Sequence, residues 1–261
     1  TGYVVYTRID DGGFDNGRPV DKPYLIVEQK PGHIYSYRVT AVNEGGESFP
    51  SETRSACRVA DEKGRVLIVN GFDRVSAPLS ERNDSLAGFR MEIDGGVPDR
   101  QDISFVGAQH VFDLAQARCN VDSIALGACG CDFETDVIGG NTFDYPALHG
   151  RSVAAAGYSF CSASLKAVER GEAALEQYPA VDLILGKQRT TTIGRGVQEP
   201  AFATFSPELQ GALRRYLAGG GALFASGAYV ASDLWAEEAP DAGRAFAEEV
   251  LHCALDTGRA A

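Results

Sequence analysis

The chain has 261 residues, which is enough for two domains of ordinary size. Its hydrophobic fraction of 44% and charged fraction of 23% are those of a globular protein. The formal net charge of -12 repels phosphate backbones, and no apolar run is long enough to cross a bilayer. We therefore expect an acidic two-domain protein that neither binds nucleic acid nor spans a membrane.

Cysteine usage and the first residue leave the cellular compartment open. Six cysteines are too sparse for a disulfide scaffold. The chain starts at Thr1 without an initiator methionine or an apolar leader, which is typical of a trimmed piece of a longer precursor. The lack of a visible signal peptide therefore does not indicate a cytoplasmic protein.

Residues 1–60 predict a small β domain. Aromatic and β-branched residues over 3–9, 24–27 and 34–43 predict three strands, separated by turns rich in Gly, Asp and Pro. In the third segment, side chains of opposite character alternate between two faces, as in a half-buried strand.

The run from Tyr35 to Ser48, with Pro50-Ser51-Glu52 after it, resembles the late strands of a fibronectin type III domain. The resemblance implies that Tyr35 is the tyrosine-corner residue, whose hydroxyl ties its strand to the preceding loop. It also implies a partial domain, because the first two strands of such a sandwich do not fit between Thr1 and the corner.

Residues 64–261 predict a second domain in which strands and helices alternate. Short apolar runs predict buried parallel strands over 65–69, 152–156, 181–185 and 221–225. Helices are predicted over 164–178, from Ser206 to the glycines at 219–221, and over 241–255. This alternation predicts a doubly wound, mostly parallel α/β sheet over residues 64–261.

The residues that follow each predicted strand are candidates for ligand contact, because open parallel sheets bind ligands outside the carboxyl ends of their strands. Each of these strands is followed by a glycine beside a polar or aromatic residue, which suits a close turn at the rim of a site. Such turns also occur without any ligand, so the sequence leaves both explanations open. The candidate ligand-binding residues are Asn70, Asp73, Tyr158, Lys187, Gln188, Ser226 and Tyr229.

Ser159 is the candidate nucleophile of an alternative, hydrolytic function. It stands two residues after Gly157 at a predicted strand-to-helix turn, as in a nucleophile elbow, although Cys161 replaces the second glycine of that motif. Cys161 is itself a second candidate nucleophile. His149 and Asp144 precede the same predicted strand and supply a base and an orienting acid. A strand of five residues, about 16 Å long, would separate His149 from Ser159, so a structural serine is the competing explanation.

Metal ions and nucleotide cofactors are not expected. Cys129 and Cys131 are followed by acidic residues, but two thiols without a second pair or a histidine are half of a zinc site. The turn that starts at Asn70 lacks the second and third glycines of a dinucleotide-binding loop. The sequence therefore predicts no cofactor.

The run from Phe205 to Gly227 resembles the helix and strand unit of class I glutamine amidotransferase-like domains. In those enzymes the turn after this strand carries the catalytic cysteine, whereas here it reads Ser226-Gly227-Ala228-Tyr229. The resemblance therefore implies the fold and not the amidotransferase activity.

Three further segments, which begin at Val66, Gly140 and Val181, resemble secreted Bacteroidetes multidomain proteins labelled xanthan lyases or N-acetylmuramoyl-L-alanine amidases. This resemblance implies a secreted, periplasmic or cell-surface protein. It implies a polysaccharide or peptidoglycan fragment as partner, besides the neighbouring domains of a longer chain. Zinc amidase chemistry is not implied, because the zinc ligands of those amidases belong to a different domain.

These observations predict an accessory module of a cell-envelope or polysaccharide-processing protein. We expect it to bind a polar ligand, a glycan or a muropeptide-like fragment, at the carboxyl edge of its parallel strands. The alternative is a hydrolase with Ser159 or Cys161 as nucleophile.

Overall fold

A computed structural model describes residues 2–48, 50–72, 80–82, 87–89, 109–112, 129–131, 145–186, 188, 190, 202–227, 229–236 and 241–256. The chain divides into two compact units. The first unit comprises residues 1–55, 74–144 and 193–197, and the second comprises residues 56–73, 145–192 and 198–261.

The first unit contains an antiparallel sheet of strands β1 Gly2–Ile9, β2 Arg18–Val20, β3 Ile34–Asn43 and β4 Gly46–Glu47. β1 pairs with β2 on one side and with β3 on the other, and β4 pairs with the end of β3. The strands predicted over 3–9 and 34–43 are therefore confirmed. The strand predicted over 24–27 is wrong, because these residues form a loop in which Tyr24, Ile26 and Val27 are exposed.

The hydroxyl of Tyr35 accepts a hydrogen bond from the loop that precedes β3. The backbone amide of Lys30 donates to Tyr35 Oη at 3.1 Å, and Gln29 Nε2 donates to the hydroxyl of Tyr37 at 2.9 Å. Tyr35 itself is buried in the sheet. The two bonds tie the loop that precedes β3 to that strand.

Among the described residues, five further short strands precede the first helix, in addition to one strand of the second unit. β5 Arg54–Cys57 lies at the division between the units. Two antiparallel pairs follow in the first unit. They are β7 Ser80–Arg82 with β8 Ala87–Phe89, and β9 Gln109–Phe112 with β10 Cys129–Cys131.

The second unit contains four parallel strands in the order β11-β6-β12-β13. Helices lie between them in the chain, with two short 3₁₀ helices at 175–177 and 232–235. The strands predicted over 65–69, 181–185 and 221–225 are confirmed. The elements are β6 Arg65–Asn70, α1 Tyr145–Ala155, β11 Ser159–Ser164, α2 Leu165–Glu169, β12 Ala180–Gly186, α3 Pro207–Ala218, β13 Ala222–Gly227 and α4 Asp241–Glu249.

The predicted fold class, a doubly wound and mostly parallel α/β sheet, is wrong. Among the described strands, antiparallel ladders link β1 to β2 and β3, and β3 to β4, in the first unit. In the second unit Cys57, at the end of β5, pairs antiparallel with Phe160 of β11, and only β6, β11, β12 and β13 run parallel to one another. The apolar runs marked parallel strands, as expected, but they carry no information on the antiparallel strands elsewhere in the chain.

Residues 152–155, predicted as part of a strand, are the end of helix α1. A short apolar run fits a buried strand or a helix equally well, and alanine, which fills positions 154–156, has the highest helix propensity of all residues. Pro146 occupies the first turn of α1, where its missing N–H removes no helical bond. The strand therefore starts later, at Ser159.

The three predicted helices differ in how well they match the structure. α3 is confirmed, since Ser206 Oγ accepts a bond from the Leu209 amide at 3.2 Å and Pro207 opens the helix. The helix predicted over 164–178 is reduced to α2 and one 3₁₀ helix, and the one over 241–255 ends at Glu249.

A hydrophobic core fills one face of the parallel strands in the second unit. Side chains from α2, α3 and α4 pack there on alternate residues of β6 and β12. The largest contributors are Leu67, Val69, Leu183, Leu185, Leu209, Leu213, Tyr216 and Phe246.

Helix α1 contacts the opposite face of β6 and β11. The contact is close at Gly150, where an added Cβ would lie 2.1 Å from the ring of Phe160. Since Phe160 is buried within β11, its ring has little freedom to move away. Only glycine fits at this position of α1.

We expect Gly150→Ala to lower the free energy of unfolding by about 1–3 kcal/mol, the usual cost of overpacking. Gly211→Ala is the matched control, because Gly211 also lies within a helix but has only Arg215 Nη1, at 3.6 Å, near its added Cβ. That change should stabilise the protein by about 0.5–1 kcal/mol through helix propensity. Urea denaturation measures both, and equal effects of the two substitutions would contradict this packing.

Candidate functional site

His149 and Asp182 form a hydrogen-bonded pair in the second unit, named the dyad below. His149 lies in α1 and Asp182 is the third residue of β12. His149 Nδ1 donates to Asp182 Oδ2 over 2.7 Å. The histidine side chain is 27% exposed, while Asp182 is buried. Among the described residues, no polar group bonds His149 Nε2.

The carboxylate of Asp182 shifts the titration of His149. The hydrogen bond that His149 donates to Asp182 raises the pKa of His149 above its ordinary value, against the smaller, opposing effect of burial. Asp182 Oδ1 is buried and accepts no hydrogen bond within the described part of the chain. Because a buried carboxylate oxygen without a donor is costly, the bond to His149 is what stabilises this group.

The partner of His149 differs from the one that the sequence predicted. Asp144 was the predicted orienting acid, and it lies outside the described residues. The sequence analysis did not select Asp182, although a carboxylate within the apolar run from Val181 to Leu185 indicates a buried charge. A charge in a buried strand requires a partner, but 33 residues separate the two side chains, so no local pattern names it.

Ser159 lies at the start of β11 and not at a strand-to-helix turn. Its hydroxyl oxygen accepts a bond from the backbone amide of Val59 at 2.9 Å. Hydrogen bonds from Ser159 and Arg65 hold the pKa of the Glu62 carboxyl below its ordinary value. The partners of this serine are therefore a backbone amide and a carboxylate.

Cys161 forms a hydrogen bond with Tyr178. Its Sγ lies 3.1 Å from the hydroxyl of Tyr178, and this hydrogen bond, with burial, raises the pKa of Tyr178 to about 12. Cys161 packs on the core formed with α2, α3 and α4, whereas Phe160 contacts α1 on the other face. Since successive strand residues point to opposite faces, Ser159 and Cys161 both point away from the α1 side. The structure does not bring either of them together with His149.

A second arrangement lies at the carboxyl ends of β6 and β12, named the strand-end site below. After β6, the next two of the four parallel strands in the chain are β11 and β12, which lie on opposite sides of β6. Where the strand order reverses in this way, the loops after neighbouring strands leave in opposite directions and open a crevice between them. Asn70, which ends β6, is buried there. Gly71 donates to the carbonyl of Ile184 at 2.7 Å, and a Cβ on it would lie 2.7 Å from Leu183.

The carboxylate of Asp233 fixes the chain beside the strand-end site. It accepts bonds from the backbone amides of Thr190 and Thr204, both at 2.9 Å, and from their hydroxyls at 3.1 Å and 2.8 Å. The buried Thr204 hydroxyl also lies 3.0 Å from the carbonyl of Gln188. Sequence reasoning selected neither Asp233 nor Thr204, because contacts across 29 and 43 residues leave no local pattern.

The remaining predicted ligand-binding residues divide between two edges of the parallel strands. Gln188, which is buried, and Ser226 and Tyr229 lie within or after the carboxyl ends of β12 and β13. Tyr158 precedes β11, and its ring lies 3.5 Å from the position of a Cβ on Gly64, before β6. The structure therefore does not bring Tyr158 together with Asn70. Asp73 and Lys187 lie outside the described residues.

No cluster of three or more His, Cys, Asp or Glu side chains that could hold a metal ion occurs in the described ranges. Cys129 and Cys131 belong to β10, which pairs with β9. Among the helices that the structure describes, none has the length and apolar character needed to cross a bilayer.

No protein-family model matches this chain, and no curated protein or solved structure does either. The resemblances to fibronectin type III and amidotransferase-like domains therefore stay predictions.

We expect Asp182→Asn to change the pH dependence of stability. The pKa of His149 is higher in the folded protein, so the stabilisation that the dyad contributes is complete below the unfolded value of about 6.5 and is lost as pH rises through the folded value. The loss of unfolding free energy in Asp182→Asn should therefore be larger at about pH 5.5 than at about pH 9.

Urea denaturation of both proteins at the two pH values measures this difference. Asp10→Asn is the control, because Asp10 pairs with His33 over the same 2.7 Å but both side chains are about half exposed. Exposed pairs contribute little to stability. A loss in Asp182→Asn that does not vary with pH would contradict the assignment of the dyad.

Proposed function

We propose that the second unit binds a polar ligand, a glycan or a muropeptide-like fragment, at the strand-end site. In this proposal the protein is an accessory module of a secreted cell-envelope or polysaccharide-processing protein. The observation that carries it is the reversal of strand order at β6, with β11 on one side and β12 on the other. In open parallel sheets, this is the place where ligands bind.

The rigidity of the strand-end site supports the proposal. Asp233 holds the chain after β12 to Thr204 through four hydrogen bonds, before any ligand arrives. A site whose backbone is already fixed loses less conformational entropy on binding. The polar groups beside it are therefore positioned in advance.

The chemistry of the side chains supports a ligand rich in hydroxyl and amide groups. Ser226 and Tyr229 carry hydroxyls that can donate and accept hydrogen bonds, while the amides of Asn70 and Gln188 are buried, and Gln188 Nε2 donates to the carbonyl of Ala203 at 3.4 Å. The net charge of -12 disfavours a strongly anionic polymer. Sugar rings and muropeptides offer the complementary groups.

We expect Lys187→Ala to weaken ligand binding about tenfold, the effect of losing one hydrogen bond to a charged donor. Lys187 directly follows β12 in the sequence. Lys63→Ala is the matched control, because Lys63 donates to the carbonyl of Ala156 at the other edge of the parallel strands. Isothermal titration with muramyl dipeptide and with a neutral oligosaccharide such as cellohexaose measures the affinities. Equal affinities of the two variants, or no binding of either probe, would refute the strand-end site.

A hydrolase is the second candidate function. The dyad favours it, because a histidine whose Nδ1 donates to a carboxylate has the geometry of a general base with its orienting acid. The partners of Ser159 and Cys161 weigh against it, since neither side chain points to the side of the strands where the dyad lies. Ligand binding is therefore the stronger proposal.

We expect no covalent adduct after treatment with a fluorophosphonate, and chloroacetamide labelling of Cys161 no faster than that of an ordinary thiol. The Glu62 carboxylate beside Ser159 has a pKa below its ordinary value, so it is too weak a base to activate the serine hydroxyl. Intact mass spectrometry of the parent, Ser159→Ala and Cys161→Ala proteins measures this. A single rapid adduct that one of these substitutions abolishes would establish a hydrolase.

A further inference from the structure

Phe224 is a flat apolar side chain on the surface of the second unit. It lies in the middle of β13 and is 62% exposed. Its neighbours in the strand, Leu223 and Ala225, pack on the core formed with α2, α3 and α4. Because strand residues alternate, the ring of Phe224 points away from that core.

The exposed ring lies beside the dyad. Phe224 and Asp182 are register partners in the parallel pair of β13 and β12. Side chains of register partners point to the same face, and neighbouring strands are about 4.8 Å apart. Asp182 in turn holds His149, whose Nε2 has no polar partner within the described ranges. The surface therefore combines an aromatic ring with a fixed polar nitrogen.

This combination suits a pyranose ring. One face of such a ring presents C–H groups that pack on an aromatic side chain, and its edge presents hydroxyls that donate and accept hydrogen bonds. With Nδ1 donating to Asp182, His149 Nε2 can bond a sugar hydroxyl in either protonation state, because it accepts in the neutral imidazole and donates in the protonated one. In neither state does the pair carry a net positive charge, so it offers no net attraction for an anionic sugar.

We propose that Phe224, His149 and Asp182 form a second ligand site that binds one hexopyranose ring of a neutral glycan. The ring packs on Phe224, His149 Nε2 bonds a hydroxyl at its edge, and Asp182 fixes the imidazole. The proposal rests on the proposed function for its class of ligand, but it uses a surface other than the strand-end site.

The first measurement is binding of the protein to an array of neutral oligosaccharides, which includes β-glucans, chitooligosaccharides, mannans and xylans. Titration calorimetry with the glycan that binds most tightly then compares the parent protein with Phe224→Ala and His149→Gln. Tyr24→Ala and His33→Gln are the matched controls. Tyr24 matches Phe224, because it is an aromatic side chain that is 61% exposed. His33 matches His149, because its Nδ1 lies 2.7 Å from a carboxylate oxygen, Asp10 Oδ2. Both controls lie in the first unit.

We expect Phe224→Ala and His149→Gln each to weaken binding at least about tenfold, which corresponds to about 1.4 kcal/mol, and the controls to bind as the parent does. Circular dichroism and the melting temperature verify that Phe224→Ala folds, as its exposure predicts. No glycan bound on the array, or unchanged affinity in Phe224→Ala, would overturn the proposal.

Lys187→Ala separates the two proposed sites. If Lys187→Ala alone weakens glycan binding, the strand-end site stands and the Phe224 site fails. If Phe224→Ala and His149→Gln weaken it while Lys187→Ala does not, the Phe224 site stands and the strand-end site fails.

Discussion

The burial of β6 and β12 between two layers is the constraint on which the second unit depends. Leu67 and Leu183 pack on the core with α2, α3 and α4, while Ile68 is fully buried on the opposite face. Strands covered on both faces have few positions for polar groups, and each polar group there needs a partner. The two buried polar residues of these strands, Asn70 and Asp182, both belong to the candidate sites. The candidate sites therefore coincide with the interruptions of the apolar pattern.

The alternation of side chains along β11 decides which chemistry is possible. Phe160 contacts α1, while Ser159 and Cys161 point to the other face. A shift of one residue in the register would exchange the two faces and place a nucleophile on the side of His149. Phe160 fixes the register, because its buried ring fits against Gly150 and a residue with a Cβ does not. A packing contact thus separates the groups that a hydrolase would need to combine.

Local sequence signals predicted the elements whose ends are marked by particular residues. α3 was located through Ser206, Pro207 and the glycines after it, and β6 and β12 through their apolar runs. Residues 152–155 were misassigned, because an alanine-rich run fits either element. The partner of His149 is a tertiary property that no window of sequence contains. For the same reason the residue predicted beside His149 was Asp144, while the observed partner is Asp182.

The charge of the protein and the charge of the dyad together narrow the class of ligand. At long range the net charge of -12 repels anions, and at short range the dyad carries no net positive charge, whether His149 is neutral or protonated. In the proposed Phe224 site, recognition then depends on the ring of Phe224 and on hydrogen bonds, which salt screens only weakly. A phosphate-rich or strongly anionic polymer would gain nothing from such a surface. At such a surface a neutral sugar would gain both contact area on the ring of Phe224 and directional hydrogen bonds.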